Sequence, residues 1–120
     1  MITKIATAAI YVEDQQRAKA FWSEKAGFHI VRETPMGASG SWIEVAPFGA
    51  ETALIIYPRS MMDNWSELKP SLVFDCEDIG ATYETMKRNG VLFQGEPKTM
   101  QWGTYVAFVD EEGNSFLLKG

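Results

Sequence analysis

Gly40-Ser41-Trp42-Ile43 and Gly103-Thr104-Tyr105-Val106 are one phrase written twice: a glycine, a small hydroxyl residue, an aromatic residue and a β-branched one, 63 positions apart. The same interval separates Ala18 from Ala81 and Gly27 from Gly90. Self-similarity at a constant spacing marks an internal repeat. Whatever structure surrounds Trp42 is therefore expected again around Tyr105.

Working back from Trp42, residues 5–12 form a β-branched and small apolar run that predicts a strand. Asp14 follows, and its carboxylate can accept from the unpaired N–H groups that open a helix. Ala18, Phe21, Trp22 and Ala26 recur at helical spacing, and Gly27 tolerates the positive φ of a helix stop. Three strand-like runs come next, at 28–33, 41–46 and 52–57, punctuated by Pro35, Gly37, Gly40, Pro47 and Gly49. The second half repeats the order. It has a strand at 71–76, a cap at Asp78, and a helix with Ile79, Thr82, Tyr83 and Met86 inward and Lys87 and Arg88 in its last turn. Gly90 is its stop, and strands at 91–93, 104–109 and 115–119 complete it.

The expected fold class is α+β: one domain of two βαβββ repeats, about 1–57 and 70–120, joined by a linker at 58–69. Each helix covers one face of its sheet, which leaves the other faces of a curved mixed-sheet cup for a small ligand.

The 120 residues are 46% hydrophobic and 22% charged, an ordinary globular balance. A net charge of -5 without clustered Lys and Arg excludes a nucleic-acid partner. The single cysteine, Cys76, cannot close an internal disulfide, which suits the reducing cytoplasm. No apolar run reaches the length of a membrane span and no signal-peptide pattern opens the chain, so no membrane association is expected.

Period-2 alternation puts Ile43 and Val45 toward the helix and Trp42 and Glu44 into the cup, where a carboxylate among aromatics can move a proton or pair with a cationic ligand. The plain alternative for Glu44 is an exposed glutamate on a sheet rim. The same alternation sends Thr7, Ala9, Tyr11, Leu54, Ile56, Ser71, Val73, Tyr105, Ser115 and Leu117 to the cup. That lining suits a small-molecule pocket, and equally a cup filled by its own side chains. Trp102 and Trp65 lie in loops and are candidate lids; the alternative for both is packing against a dimer partner or closing the end of the sheet, and it is the preferred reading for Trp65. His29 is the one histidine and has no companions at ligand spacing, so it reads as a strand residue. Cys76 sits between Asp75 and Glu77 side chains that disfavour a thiolate. No Ser-His-Asp set and no glycine-rich phosphate loop can be assembled.

Three segments carry a resemblance: the opening Ile10-Tyr11-Val12-Glu13-Asp14, then Ala20-Phe21-Trp22 leading to Ala26-Gly27-Phe28, and the closing Phe108-Val109-Asp110-Glu111-Glu112-Gly113-Asn114. The pattern resembles the vicinal oxygen chelate superfamily of glyoxalase I, extradiol dioxygenases, and fosfomycin and bleomycin resistance proteins, over nearly the whole chain. The resemblance implies the cup-shaped fold. It also implies, for enzymatic members, a metal held by His and Glu side chains from four strands. The positions similar to those ligands hold Thr7, Ile56, Ser71 and Leu117. Two of these have no lone pair and two are neutral hydroxyls, so the expectation is a member with no metal and no cofactor.

Three functions stay open. One is a binding protein that encloses an aromatic or cationic organic molecule. Another is an enzyme with Glu44 as acid/base on a small carbonyl or epoxide compound. The last is a structural module with a filled cup. A homodimer is expected under each, because open sheet edges invite pairing and relatives of this fold pair their chains.

Overall fold

Asp14 and Asp78 start the two helices as the sequence predicts. The structure, a computed structural model, describes residues 1, 5–101 and 103–120. It contains two compact units, Met1–Lys69 and Pro70–Gly120. No helix among the described residues is long and apolar enough to cross a membrane.

In the first unit, β1 (Thr7–Val12) leads to Asp14, whose Oδ1 accepts from the Arg17 N–H at 3.1 Å and opens α1 (Gln15–Ala20). The helix then widens into a π turn at Phe21–Lys25, where the Ala26 N–H bonds the carbonyl of Phe21 five residues back. Ala18, Phe21 and Trp22 are buried. Gly27, at φ 80°, redirects the chain into β2 (His29–Pro35), followed by β3 (Ser41–Ala46) and β4 (Ala53–Pro58). The sheet order is β1-β4-β3-β2, with β1 and β4 parallel and the other pairs antiparallel.

Register decides which residues share a face, since directly paired residues point the same way. Ile10 pairs Ile56, Ile56 pairs Ile43, and Leu54 pairs Val45. These five, with Val12, are buried and meet the apolar face of α1. The opposite face carries Thr7, Ala9, Tyr11, Trp42, Glu44, Ala53, Ile55 and Tyr57. The expectation that Leu54 and Ile56 face a cup is thus corrected by one residue. The cause is that Ala53, Leu54, Ile55 and Ile56 are all buried, so hydrophobicity along β4 carries no alternation from which to read its phase.

A second departure lies in β2. Ile30 pairs Val45, yet Arg32 pairs Glu44, so Val31 is an extra residue in a β-bulge. Without it Arg32 would share the side of Ile30. With it, Arg32 shares the side of Glu44.

In the second unit, β5 (Val73–Asp75) precedes Asp78, whose Oδ1 accepts from the Ala81 N–H at 3.0 Å and opens α2 (Ile79–Arg88). Tyr83 and Met86 are buried, and Lys87 and Arg88 occupy the last turn. The remaining strands are β6 (Leu92–Phe93), β7 (Lys98–Met100), β8 (Gly103–Val109) and β9 (Ser115–Lys119). β5 runs parallel to β9, β9 pairs β8, and β6 and β7 both pair β8. Phe74, Phe108 and Phe116 pack on one side, with Phe108 and Phe116 ring centroids 5.5 Å apart. Val73 pairs Leu117 on the other, exposed side.

β7 is a strand the sequence reading lacks. In the first unit one bulged strand, β2, spans the whole edge of β3. In the second, Gly95 and Pro97 interrupt the corresponding strand and leave two short pieces, β6 and β7, on the edge of β8. The fold class is otherwise as read: mixed α+β, with two sheets and, among the described residues, two α-helices.

Candidate small-molecule site

The open face of the first sheet bears a cavity of about 440 Å³, within the range of small-molecule pockets. Thr7 of β1 and Ala53 of β4 lie side by side on its wall, Trp42 and Glu44 come from β3, and Val31 and Arg32 from the bulge of β2. Glu51, in the turn before β4, adds a second carboxylate.

Its polar centre is Glu44. The Trp42 Nε1–H donates to Glu44 Oε2 at 2.8 Å, a bond the strand geometry allows because residues two apart point the same way. Arg32 Nε lies 3.2 Å from the same oxygen. The Glu44 side chain is 12% exposed and that of Arg32 63%, so the carboxylate sits in the wall and its counter-ion at the solvent side. Tyr57 stands edge-on to both Trp42 and Tyr11, with ring centroids 6.0 and 6.1 Å away, and completes an aromatic row on this face. Such edge-to-face pairs set the positive ring edge against the negative ring face.

Of the residues singled out in sequence, Thr7, Trp42 and Glu44 line the cavity, and Tyr11 lies on the same face. Leu54 and Ile56 are in the core behind it. Val73, Tyr105 and Leu117 share the open face of the second unit's own sheet, and Ser71 is exposed ahead of β5. Trp102 lies outside the described residues. Arg32, Glu51, Ala53 and Tyr57 were not anticipated: the bulge hid Arg32, and the missing phase of β4 hid Ala53 and Tyr57.

The remaining candidates are accounted for locally. The Trp65 ring lies under the Arg59 guanidinium at 4.2 Å, and Arg59 reaches Glu13 Oε2 at 3.0 Å. His29 stacks on Phe48 at 4.4 Å between centroids. Burial, more than charge, pushes the Cys76 thiol up; Asp75 and Asp78 add to this, and a hydrogen bond with Thr82 opposes it. The sequence reading named the flanking charges alone, and Asp78 replaces Glu77 among them.

The profile of the Glyoxalase/Bleomycin resistance protein/Dioxygenase superfamily matches residues 4–118, and the chain belongs to that family. It is 61% identical to YetH of Bacillus subtilis (strain 168), with 99% of each chain covered. Among solved structures it resembles a member of the same superfamily from Sphaerobacter thermophilus DSM 20745, at 27% identity and a TM-score of 0.89, covering 98% of this chain and 97% of that one. It also resembles TnmS3, an antibiotic binding protein from Streptomyces sp. CB03234, at 31% identity and a TM-score of 0.83, covering 98% and 95%.

For enzymatic members the resemblance implies a metal held by His and Glu side chains, and the residues at the positions similar to those ligands, Thr7, Ile56, Ser71 and Leu117, carry neither group. Thr7 is flanked on β4 by Ala53, and its neighbour on the same face, Ala9, by Ile55. On the second sheet the Leu117 position pairs Val73. A divalent ion needs imidazole or carboxylate donors at such places. Among the described residues no group of three or more His, Cys, Asp or Glu side chains converges to hold a metal ion.

Proposed function

We propose that this protein is a metal-independent small-molecule-binding member of its family that encloses an aromatic or cationic organic ligand. The observation that carries the reading is the first-unit cavity itself. The Trp42 indole lines it, with the Tyr57 and Tyr11 rings continuing the aromatic row on the same sheet face, a nearly buried carboxylate is fixed in its wall, and among the described residues no metal-donor set converges. Aromatic walls supply most of the binding free energy of such pockets, and the few polar groups set orientation. The 31% identity to an antibiotic binding protein supports the same class of activity. Two donors on one oxygen of Glu44 suit a carboxylate that holds position and presents charge, which favours binding over use of Glu44 as an acid/base. The reading includes a homodimer and, on the free Cys76, a reducing cytoplasmic location.

The test is tryptophan fluorescence of metal-stripped protein, titrated first with divalent metals and then with a panel of aromatic compounds. Saturable quenching by an organic compound, with no metal response, is expected. A stoichiometric metal response required for ligand binding would overturn the proposal.

A further inference from the structure

The cavity lining carries two carboxylates, Glu44 and Glu51, against one guanidinium, Arg32. A guest with one positive charge brings that local balance to zero; an anionic guest doubles the excess. Nearly buried charge must be paired, so Glu44 needs a cation whether or not a guest is present. In the free protein that cation is Arg32, delivered to the cavity side of β2 by the bulge at Val31. Bulges re-aim side chains in this way next to binding sites. The pair is asymmetric: Glu44 is held in the wall by Trp42, while most of the Arg32 side chain is in water and can leave with little loss.

We infer that Arg32 is a resident counter-ion that a cationic aromatic guest displaces from Glu44, so Arg32 sets the specificity of the cavity by competing with its ligand. The inference rests on the small-molecule reading and narrows it to aromatic monocations. Removing Arg32 should then strengthen binding of a cation, the reverse of what removing a recognition residue does.

Three planar tricyclic probes separate the cases at pH 8: 10-methylacridinium (cation), acridine (neutral) and anthracene-9-carboxylate (anion), each titrated by quenching of tryptophan fluorescence. The wild-type protein should bind the cation more tightly than its neutral analogue. Arg32→Gln should widen that ratio by a factor of about two to five, the size expected for release of an exposed ion pair. Glu44→Gln should collapse it toward one. If Arg32→Gln weakens the cation, or if the anion binds best and loses affinity in Arg32→Gln, Arg32 is itself the recognition group and the inference falls while the small-molecule reading stands. It falls in the same way if cation and neutral probe bind equally. If none of the three binds, the small-molecule reading fails and takes the inference with it. Thermal unfolding of Arg32→Gln checks that the variant is folded.

Discussion

Gln15 Oε1 occupies the space that a side chain at Gly40 needs: a Cβ built on Gly40 lies 2.5 Å from it and 3.1 Å from Pro58 Cγ. Gln15 cannot simply move aside. Its amide nitrogen donates to the carbonyls of Ser41 and Ile56 at 2.6 and 2.8 Å, and its oxygen accepts from the Ser41 N–H at 3.0 Å, so one side chain ties the start of α1 to β3 and β4. Gly40 also sits at φ 140°, in the region glycine favours. Gly40→Ala should therefore destabilise the protein by about 1–3 kcal/mol more than Gly49→Ala, where φ is 80° but a Cβ meets nothing within 4 Å. Urea denaturation of the two variants measures the difference.

The face assignment of β4 predicts opposite outcomes at two positions. Ile56→Ala empties part of the packed side shared with Ile10 and Ile43 and should cost about 2–5 kcal/mol. Thr7→Ala, on the exposed cavity wall, should stay within about 0.5 kcal/mol. Equal costs in equilibrium denaturation would contradict the register described for β1, β3 and β4.

Trp42→Phe removes the donor to Glu44 Oε2 and keeps an aromatic ring in the wall. Loss of a hydrogen bond to a charged group should cost about 1–3 kcal/mol in chemical denaturation. Ligand-induced quenching should shrink as well, since an indole of the cavity wall is gone. Undiminished quenching would place the guest elsewhere.

Stability should carry a pH-dependent component from Asp110, buried in the turn between β8 and β9. Burial raises its pKa, outweighing hydrogen bonds from Asn114 and from the Glu112 N–H. A carboxyl with a raised folded pKa binds its proton better in the folded state. Its contribution is fully present below the unfolded value near pH 4 and is lost as pH rises through the raised value. Glu33 runs the other way: hydrogen bonds from Lys19 and Gln16 lower its pKa, so its contribution is present at neutral pH and lost as pH falls through the lowered value. Carbon-13 NMR titration of the two side-chain carboxyls should find Asp110 titrating above an ordinary aspartate and Glu33 below an ordinary glutamate.

Much of the fold was legible because its signals are local. Asp14 and Asp78 cap as a carboxylate before a helix should, Gly27 and Gly90 turn the chain at positive φ, and β3 begins and ends where alternation puts it. Trp42 and Glu44 reached the site for the same reason, since β3 has one buried face and one open one. Arg32 and Tyr57 were not legible. An inserted residue in β2 reverses the side on which Arg32 emerges, and nothing in Ile30-Val31-Arg32 announces it. β4 is apolar on both faces, so its phase exists only in its pairing with β1 and β3. β7 escaped notice because a three-residue strand whose side chains are all exposed has no periodicity of its own.

The burial of β4 limits which positions of the first sheet can carry a polar group. A polar ligand placed from β4 onto the open face of the first sheet would stand at Ala53, on the cavity wall, or at Ile55, which is 2% exposed. At Ile55 such a group would be a buried polar side chain without a partner, at a cost of several kcal/mol. Burial of β4 thus leaves the charged pair of this face, Arg32 and Glu44, to β2 and β3 rather than to the strand beside them.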